Sequence, residues 1–231
     1  MAAAQKNHLI KLLPHKDRNR LLALCEPVDL ALGQVLCEPG KPVRHVYFPT
    51  ESFISLIAEI DGKPCLEVGL VGSEGMLGAQ LALGVPTVPL HALVQGAGPA
   101  LRVGVASFRK ELAASAVLQR ELNRYLYVLM QQLATAASCL RFHKIEPRLA
   151  RWLLMSQDRA HSASFHVTHE FLAYMLGVRR VGITVAATSL QQDGLIGYRR
   201  GEVKVLDRRG LEAAACSCYA TDRQAYADLM R

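Results

Sequence analysis

The stretch VTHEFLAYMLGVRRVGITVAATSLQQDGLI, Val167–Ile196, divides at Gly177 into two short helical segments, with Arg179 and Arg180 just past the division. Thr168 is placed to cap the first helix through its hydroxyl, and Glu170 in the first turn suits the positive end of the helix dipole. Leu172, Met175 and Leu176 make an apolar stripe, Ala173 leaves room for a crossing helix, and Val178 plugs the turn that Gly177 allows in the left-handed region. Ile183, Ala186, Ala187 and Leu190 give the second helix its buried face.

That second helix leaves Arg179, Arg180, Thr184 and Thr188 outside, a basic and hydroxyl-bearing face on its N-terminal half. Arginine can donate two hydrogen bonds to guanine O6 and N7, threonine can meet a phosphate or a thymine methyl, and a helix N-terminus attracts phosphate. Two features disfavour the helix on its own. Arg179 is a poor capping residue, and Gly182 costs up to about 1 kcal/mol relative to alanine in a helix interior. Directly after it, Gly194–Val205 reads as two β segments joined at Arg200-Gly201, a small basic hairpin that carries Arg199 and Arg200 at its tip. A helix, a glycine turn, a basic helix and a basic hairpin in this order predict a winged helix-turn-helix. The expected DNA-contacting set is Thr168, His169, Arg179, Arg180, Thr184, Thr188, Arg199 and Arg200.

Upstream, the first hundred or so residues read as short β segments after one helix around Asn7–Leu24. Pro39-Gly40 and Asp61-Gly62 are turn dipeptides, and the second separates Ser52–Ile60 from Pro64–Val71 as a hairpin. Frequent glycines from Gly33 to Gly104 fit an antiparallel barrel or jelly roll. From Ala113 to His143 there is no glycine or proline. Leu122, Leu126, Leu129, Leu133, Ala136 and Leu140 alternate spacings of four and three, a heptad seam. Such a helix either lies across its own barrel or pairs with a second copy. Its length, about 45 Å at about 1.5 Å per residue, favours a homodimer seam, with Leu118, Tyr125 and Val128 turned toward the barrel. Pro147 suits the first turn of a new helix reaching about Gln157, so His143–Glu146 is a hinge. The expected fold is α+β in three parts: a β-barrel sensory domain over 1–112, a dimerisation helix over 113–143 and a winged helix-turn-helix domain over 144–231.

The 231 residues, 51% hydrophobic and 20% charged, are globular in composition. The formal charge of +7 is uneven. Residues 1–140 carry 13 Lys/Arg against 11 Asp/Glu, and residues 141–231 carry 14 against 9, so the excess lies in the C-terminal part. That favours a polyanionic partner. Apolar runs are broken before the 18 or so residues of a membrane span, and the opening segment is interrupted at Lys11 and Pro14, so a cytoplasmic protein without membrane contact is expected. The six cysteines, Cys25, Cys37, Cys65, Cys139, Cys216 and Cys218, are expected to be reduced thiols. Only Cys216 and Cys218 are close in sequence, and no second pair is evident, so neither a metal nor a cofactor is expected. No nucleophile with its base and no carboxylate pair stands out, so the chain is not expected to be an enzyme.

Taken together, GQVLCEPGKPVRHVYFP, VGSEGMLG, the long helix and the segment Val167–Leu206 make the sequence similar to the Crp/Fnr family of bacterial transcription regulators, over nearly the whole chain. The resemblance implies a homodimer on a pseudo-palindromic duplex operator, with RNA polymerase as a further partner where binding activates transcription. It also implies a regulatory barrel, which in the cyclic-AMP-responsive members holds the nucleotide with a Gly-Glu-Leu-type turn and an Arg-Ser or Arg-Thr pair. Here the matching positions read Gly75-Met76-Leu77-Gly78-Ala79 and Pro89-Leu90-His91-Ala92, lacking both the acidic residue and the arginine. Burying a cyclic phosphate without a cation leaves its charge unpaired, so no response to cyclic AMP is expected. His91 reads as structural. The family's guanine-reading arginine matches Arg180, while its glutamate and second arginine positions hold Val181 and Val185, so a different operator is expected. The competing reading is a sensory small-molecule module that acts through protein partners.

Overall fold

The computed structural model describes residues 6–61, 63–160 and 162–231, with the side chains of residues 63–65 left out. Gly62 of the expected turn and the Cys65 side chain thus lie outside the described residues. Two short helices, α1 (His8–Lys11) and α2 (His15–Ala23), stand where one was expected. Pro14, extended at ψ 151°, ends the first and precedes the second.

Seven strands follow: β1 (Glu26–Leu30), β2 (Val35–Cys37), β3 (His45–Pro49), β4 (Phe53–Ile60), β5 (Lys63–Val71), β6 (His91–Gly96) and β7 (Gly98–Gly104). They form two antiparallel sheets, ordered β1-β7-β3 and β2-β6-β4-β5. The sheets face one another over a shared core of Leu30, Phe48, Ile54, Val71, Val94 and Val103. The jelly-roll expectation stands in this form, but as two open sheets and not as a closed barrel. The β4–β5 hairpin turns at Asp61, which has φ 53°.

The long helix expected over 113–143 is present from Ala116 to Phe142, with a separate helix before it. α3 (Val105–Ala114) ends at Ser115, whose extended backbone starts α4 (Ala116–Phe142). The Ser115 hydroxyl accepts from the Leu118 N–H at 3.1 Å and donates to Asp17 at 2.6 Å, so a capping serine starts the long helix. Leu118, Tyr125 and Val128 face the sheets. Leu122, expected on the dimer seam, is also fully buried there, with Leu126 and Leu129 packed against the same core. Of the expected seam, Leu133 and Leu140 in the C-terminal half of α4 are exposed and Ala136 is half-buried, and Tyr127, Met130 and Phe142 are exposed beside them.

α5 (Ile145–Ala160) starts two residues before Pro147 and opens the C-terminal unit: β8 (Ser164–His166), α6 (His169–Leu176), α7 (Arg180–Gln192), β9 (Ile196–Arg199), β10 (Glu202–Val205) and α8 (Arg208–Ala214). These elements share a second core of Leu149, Trp152, Leu172, Ile183, Leu190 and Val203. The last helix, α9 (Cys218–Leu229), leaves that unit, and Met230, just past its end, joins the core of the sheet domain. Among the described residues no single helix is long and apolar enough to cross a membrane. α6 and α7 together have the length and composition, but the chain bends by 109° between them.

The two units dock through α5. Arg159 reaches Glu74 at 2.7 Å, and Trp152 Nε1 donates to Glu67 at 2.9 Å, with Ser55 donating to the other Glu67 oxygen at 2.6 Å. Burial pushes the Glu67 carboxyl up to about 7, against the downward pull of Ser55, Trp152, Arg159 and Arg151. The docked state therefore favours protonated Glu67, and this contribution is lost as pH rises through about 7. Glu67→Gln is expected to raise the thermal midpoint at about pH 8 and leave it nearly unchanged at about pH 5, read by circular dichroism. Equal shifts at both pH values would contradict this assignment.

Candidate nucleic-acid interface

The face predicted to meet DNA is built on the α6–α7 hinge. Thr168 Oγ1 accepts from the Phe171 N–H at 3.1 Å, the expected cap. Gly177 ends α6 at φ 62° and ψ 41°, and the Val178 N–H closes back on the Ala173 carbonyl at 2.9 Å. This six-to-one bond is the Schellman form of helix termination, and it requires the left-handed conformation that glycine adopts without steric cost. The 109° bend carries the N-terminus of α7 outward.

Arg179 occupies the cap position of α7, extended and without a side-chain capping bond. The first turn of that helix therefore keeps N–H groups available to an anion. Arg179, Arg180, Thr184 and Thr188 are all exposed, as expected. Val181 and Val185 share the face and are 67% and 66% exposed. Two solvent-facing valines on a helix whose other apolar residues are all packed mark a surface suited to thymine methyl groups. Gly182 has a structural reason that the sequence does not display. A Cβ there would lie 2.7 Å from Ile145 Cδ1, so this glycine lets the hinge residue press against α7.

His169 is integrated more deeply than a surface contact residue. Its ring stacks on Tyr198 at 4.5 Å and 7°, and its Nδ1 lies 3.1 Å from Thr184 Oγ1. The Thr184 hydroxyl donates to the Arg180 carbonyl at 3.2 Å, so it is left to accept from His169 Nδ1–H. Burial, and then Arg180, lower the His169 pKa, which favours the neutral ring. Tyr198 donates to the Val167 carbonyl at 2.6 Å. The ring stack and the His169–Thr184 bond thus tie β9, the start of α6 and α7 together.

The wing is three-stranded, ordered β8-β10-β9. Its tip turns through Arg200 and Gly201 with φ of 52° and 83°, the two left-handed residues of a type I′ hairpin. Arg199 and Arg200 are exposed there. β8 was not legible in the sequence, being three residues held by pairing with β10.

Residues 147–214 match the description of the Crp-like helix-turn-helix domain. This segment is similar to that domain family. The Crp-like domain takes in α6, α7 and the wing, and ends with α8, before α9 turns back to the sheets. The fold of the whole chain is that of Crp/Fnr regulators. The c-di-GMP-responsive global regulator CLP of Xanthomonas campestris superposes with a TM-score of 0.66 at 20% identity, over 84% of this chain and 100% of that one. FixK2 of Bradyrhizobium japonicum does so at 0.67 and 13%, over 83% and 98% of the two chains. A Crp/Fnr-family regulator of Thermus thermophilus does so at 0.65 and 21%, over 82% and 98%. At these identities the likeness is one of fold. No curated protein matched the sequence. Crp/Fnr regulators are a family of non-enzymes.

Outside the Crp-like domain's DNA-facing surface, the donor atoms of Cys139, His143, Cys216 and Cys218 lie within 4.8 Å of one another. The second close pair, missed in the sequence, is Cys139 on α4 and His143 at its C-cap, four residues apart. An i, i+4 Cys/His pair was the signal that could have revealed it.

Proposed function

We propose that this chain is a dimeric, sequence-specific DNA-binding transcription regulator of the Crp/Fnr type that does not respond to cyclic AMP. The observation that carries the reading is the shared exposure of Arg179, Arg180, Val181, Thr184 and Thr188 on α7 beside the wing arginines Arg199 and Arg200. α7 is then the helix that enters the major groove. Arg180 donates to a guanine, Val181 meets a thymine methyl, and the uncapped helix N-terminus and the wing take the phosphates.

Dimerisation through α4 rests on its exposed apolar stripe of Tyr127, Met130, Leu133 and Leu140. Covering these residues with the same stripe of a second copy is the two-fold solution that a palindromic operator requires.

The effector part of the proposal rests on a cavity of about 510 Å³ between the β4–β5 sheet, the Met76–Gln80 turn and α4. Its lining includes Met76, Leu77, Val88, Leu90, Leu126 and Met130, and no charged side chain. His91 does not line it, and its Nε2 is held by Glu59 at 2.8 Å. A cyclic phosphate would enter this space with no cation to meet it, at a desolvation cost that the apolar lining cannot offset.

Removing the wing arginines tests the docking geometry. Arg199→Ala with Arg200→Ala is expected to weaken binding across all duplex sequences. It should also flatten the slope of log Kd against log salt by about one for each phosphate no longer neutralised, measured by fluorescence anisotropy. An unchanged slope would remove the wing from the interface.

A further inference from the structure

Among the described residues, the most concentrated group of ligating side chains belongs to no part of the DNA-binding surface. Cys139 and His143 lie one turn apart at the C-terminal end of α4, and the His143 N–H closes that helix on the Cys139 carbonyl at 3.1 Å. Cys216 lies between α8 and α9, and Cys218 begins α9. The Cys139 and Cys216 sulfurs are 3.5 Å apart, the Cys218 sulfur is 3.5 Å from His143 Nδ1, and all four donor atoms fall within 4.8 Å of one another. With zinc–sulfur bonds of about 2.3 Å and a zinc–nitrogen bond of about 2.0 Å, the edges of a tetrahedral site measure about 3.5–3.8 Å. The four donors are thus already near the vertices of such a tetrahedron.

We infer that Cys139, His143, Cys216 and Cys218 form a structural zinc site that fastens the C-terminal helix to the end of the long helix. Three thiolates and one imidazole are a soft donor set that selects zinc over magnesium or calcium. The three cysteines are buried, and the protein fills all four positions, leaving none for water or substrate, as in structural rather than catalytic sites. On binding, each thiol gives its proton to solvent, and zinc with three thiolates and a neutral histidine carries one net negative charge. Arg151 stands beside Cys139 and Cys216 to oppose that charge, and is itself held by Asp222 at 2.6 Å.

The placement gives the site a mechanical role. His143 caps the end of α4 and α5 begins at Ile145, so the site lies at the joint between the long helix and the Crp-like domain. The Cys216 N–H also donates to the Pro147 carbonyl at 3.3 Å, binding the same loop to the start of α5. A loaded site therefore limits how the DNA-binding domain swings on α4. The inference stands on the donor geometry and does not depend on the DNA-binding reading.

The test is the metal content of the full-length protein, purified under reducing conditions and passed over a gel-filtration column, by inductively coupled plasma mass spectrometry. About one zinc per chain is expected, kept by Cys25→Ser and lost by Cys216→Ser with Cys218→Ser. Because the double variant can fail by misfolding, cobalt(II) is also added to reduced, metal-stripped wild-type protein. The intense visible bands of tetrahedral cobalt, with thiolate-to-cobalt charge transfer in the near ultraviolet, are the expected result. Wild-type protein that neither retains zinc nor gives these bands overturns the inference, as does zinc that persists in the double variant. A Cys139–Cys216 disulfide in peptide maps of metal-free native protein likewise overturns it, in favour of a dithiol pair.

Discussion

Glu74→Ala is expected to destabilise the docked arrangement of the two units by about 3–5 kcal/mol, the usual cost of leaving one partner of a buried ion pair uncompensated. Arg159 extends from α5 with its side chain only 10% exposed, and places Nε at 2.9 Å from Glu74 Oε1. The guanidinium stays charged at every accessible pH, so it cannot escape by losing a proton. Its other hydrogen bond, from Nη1 to the Met155 carbonyl at 3.0 Å, lies within its own helix, and the Asp158 carboxylate is a second, weaker counter-charge. The Gly72 N–H also donates to Glu74, at 3.1 Å, so the substitution releases the turn after β5 as well. A lower urea midpoint by far-ultraviolet circular dichroism is the readout. Replacing both partners, as in Glu74→Leu with Arg159→Met, should cost less than Glu74→Ala alone, because a buried pair can be exchanged for apolar packing more cheaply than it can be broken. A loss below about 1 kcal/mol for Glu74→Ala would place this pair among exposed ion pairs, which contribute little.

Arg180→Ala is the variant that separates sequence reading from general attraction to DNA. Removing one bidentate arginine–guanine contact costs about 1–3 kcal/mol at a single base pair in each half-site and relaxes the preference there. The shift should appear as a loss of discrimination at one position, with affinity for unrelated duplexes nearly unchanged. The wing variants should do the opposite, weakening all duplexes alike. The stack of His169 on Tyr198 and its bond to Thr184 hold α7 against α6 and the wing, so this arginine is presented from a firmly placed helix. If Arg180→Ala bound its best operator as tightly and as selectively as the unaltered protein, α7 would not be the reading helix.

What was legible in the sequence was local. Gly177, Thr168 and the Arg200-Gly201 turn announce themselves because each obeys a short-range rule: a left-handed residue, a hydroxyl cap, a two-residue hairpin turn. The apolar stripes of α6 and α7 follow the helical period. The rest depended on partners distant in the chain. Leu122 fits the heptad as well as Leu133 does, and only the sheets beneath α4 decide that one is buried and the other exposed. Gly182 reads as a weak point in a helix until Ile145 is seen to fill the space. Ser115 starts the long helix, and its hydroxyl donates to Asp17, nearly a hundred positions away. The Cys/His cluster joins pairs separated by most of the Crp-like domain, so the spacing rules that mark zinc sites within one short segment do not reach it.

Selection from a random duplex pool with the purified, effector-free protein at near-physiological salt is the decisive experiment for a dimer that reads DNA through α7. Enrichment of a two-fold symmetric site with half-sites about one helical turn apart is expected, as two α7 helices carried by a symmetric pair of α4 helices require. Absence of DNA binding even at low salt would contradict that reading.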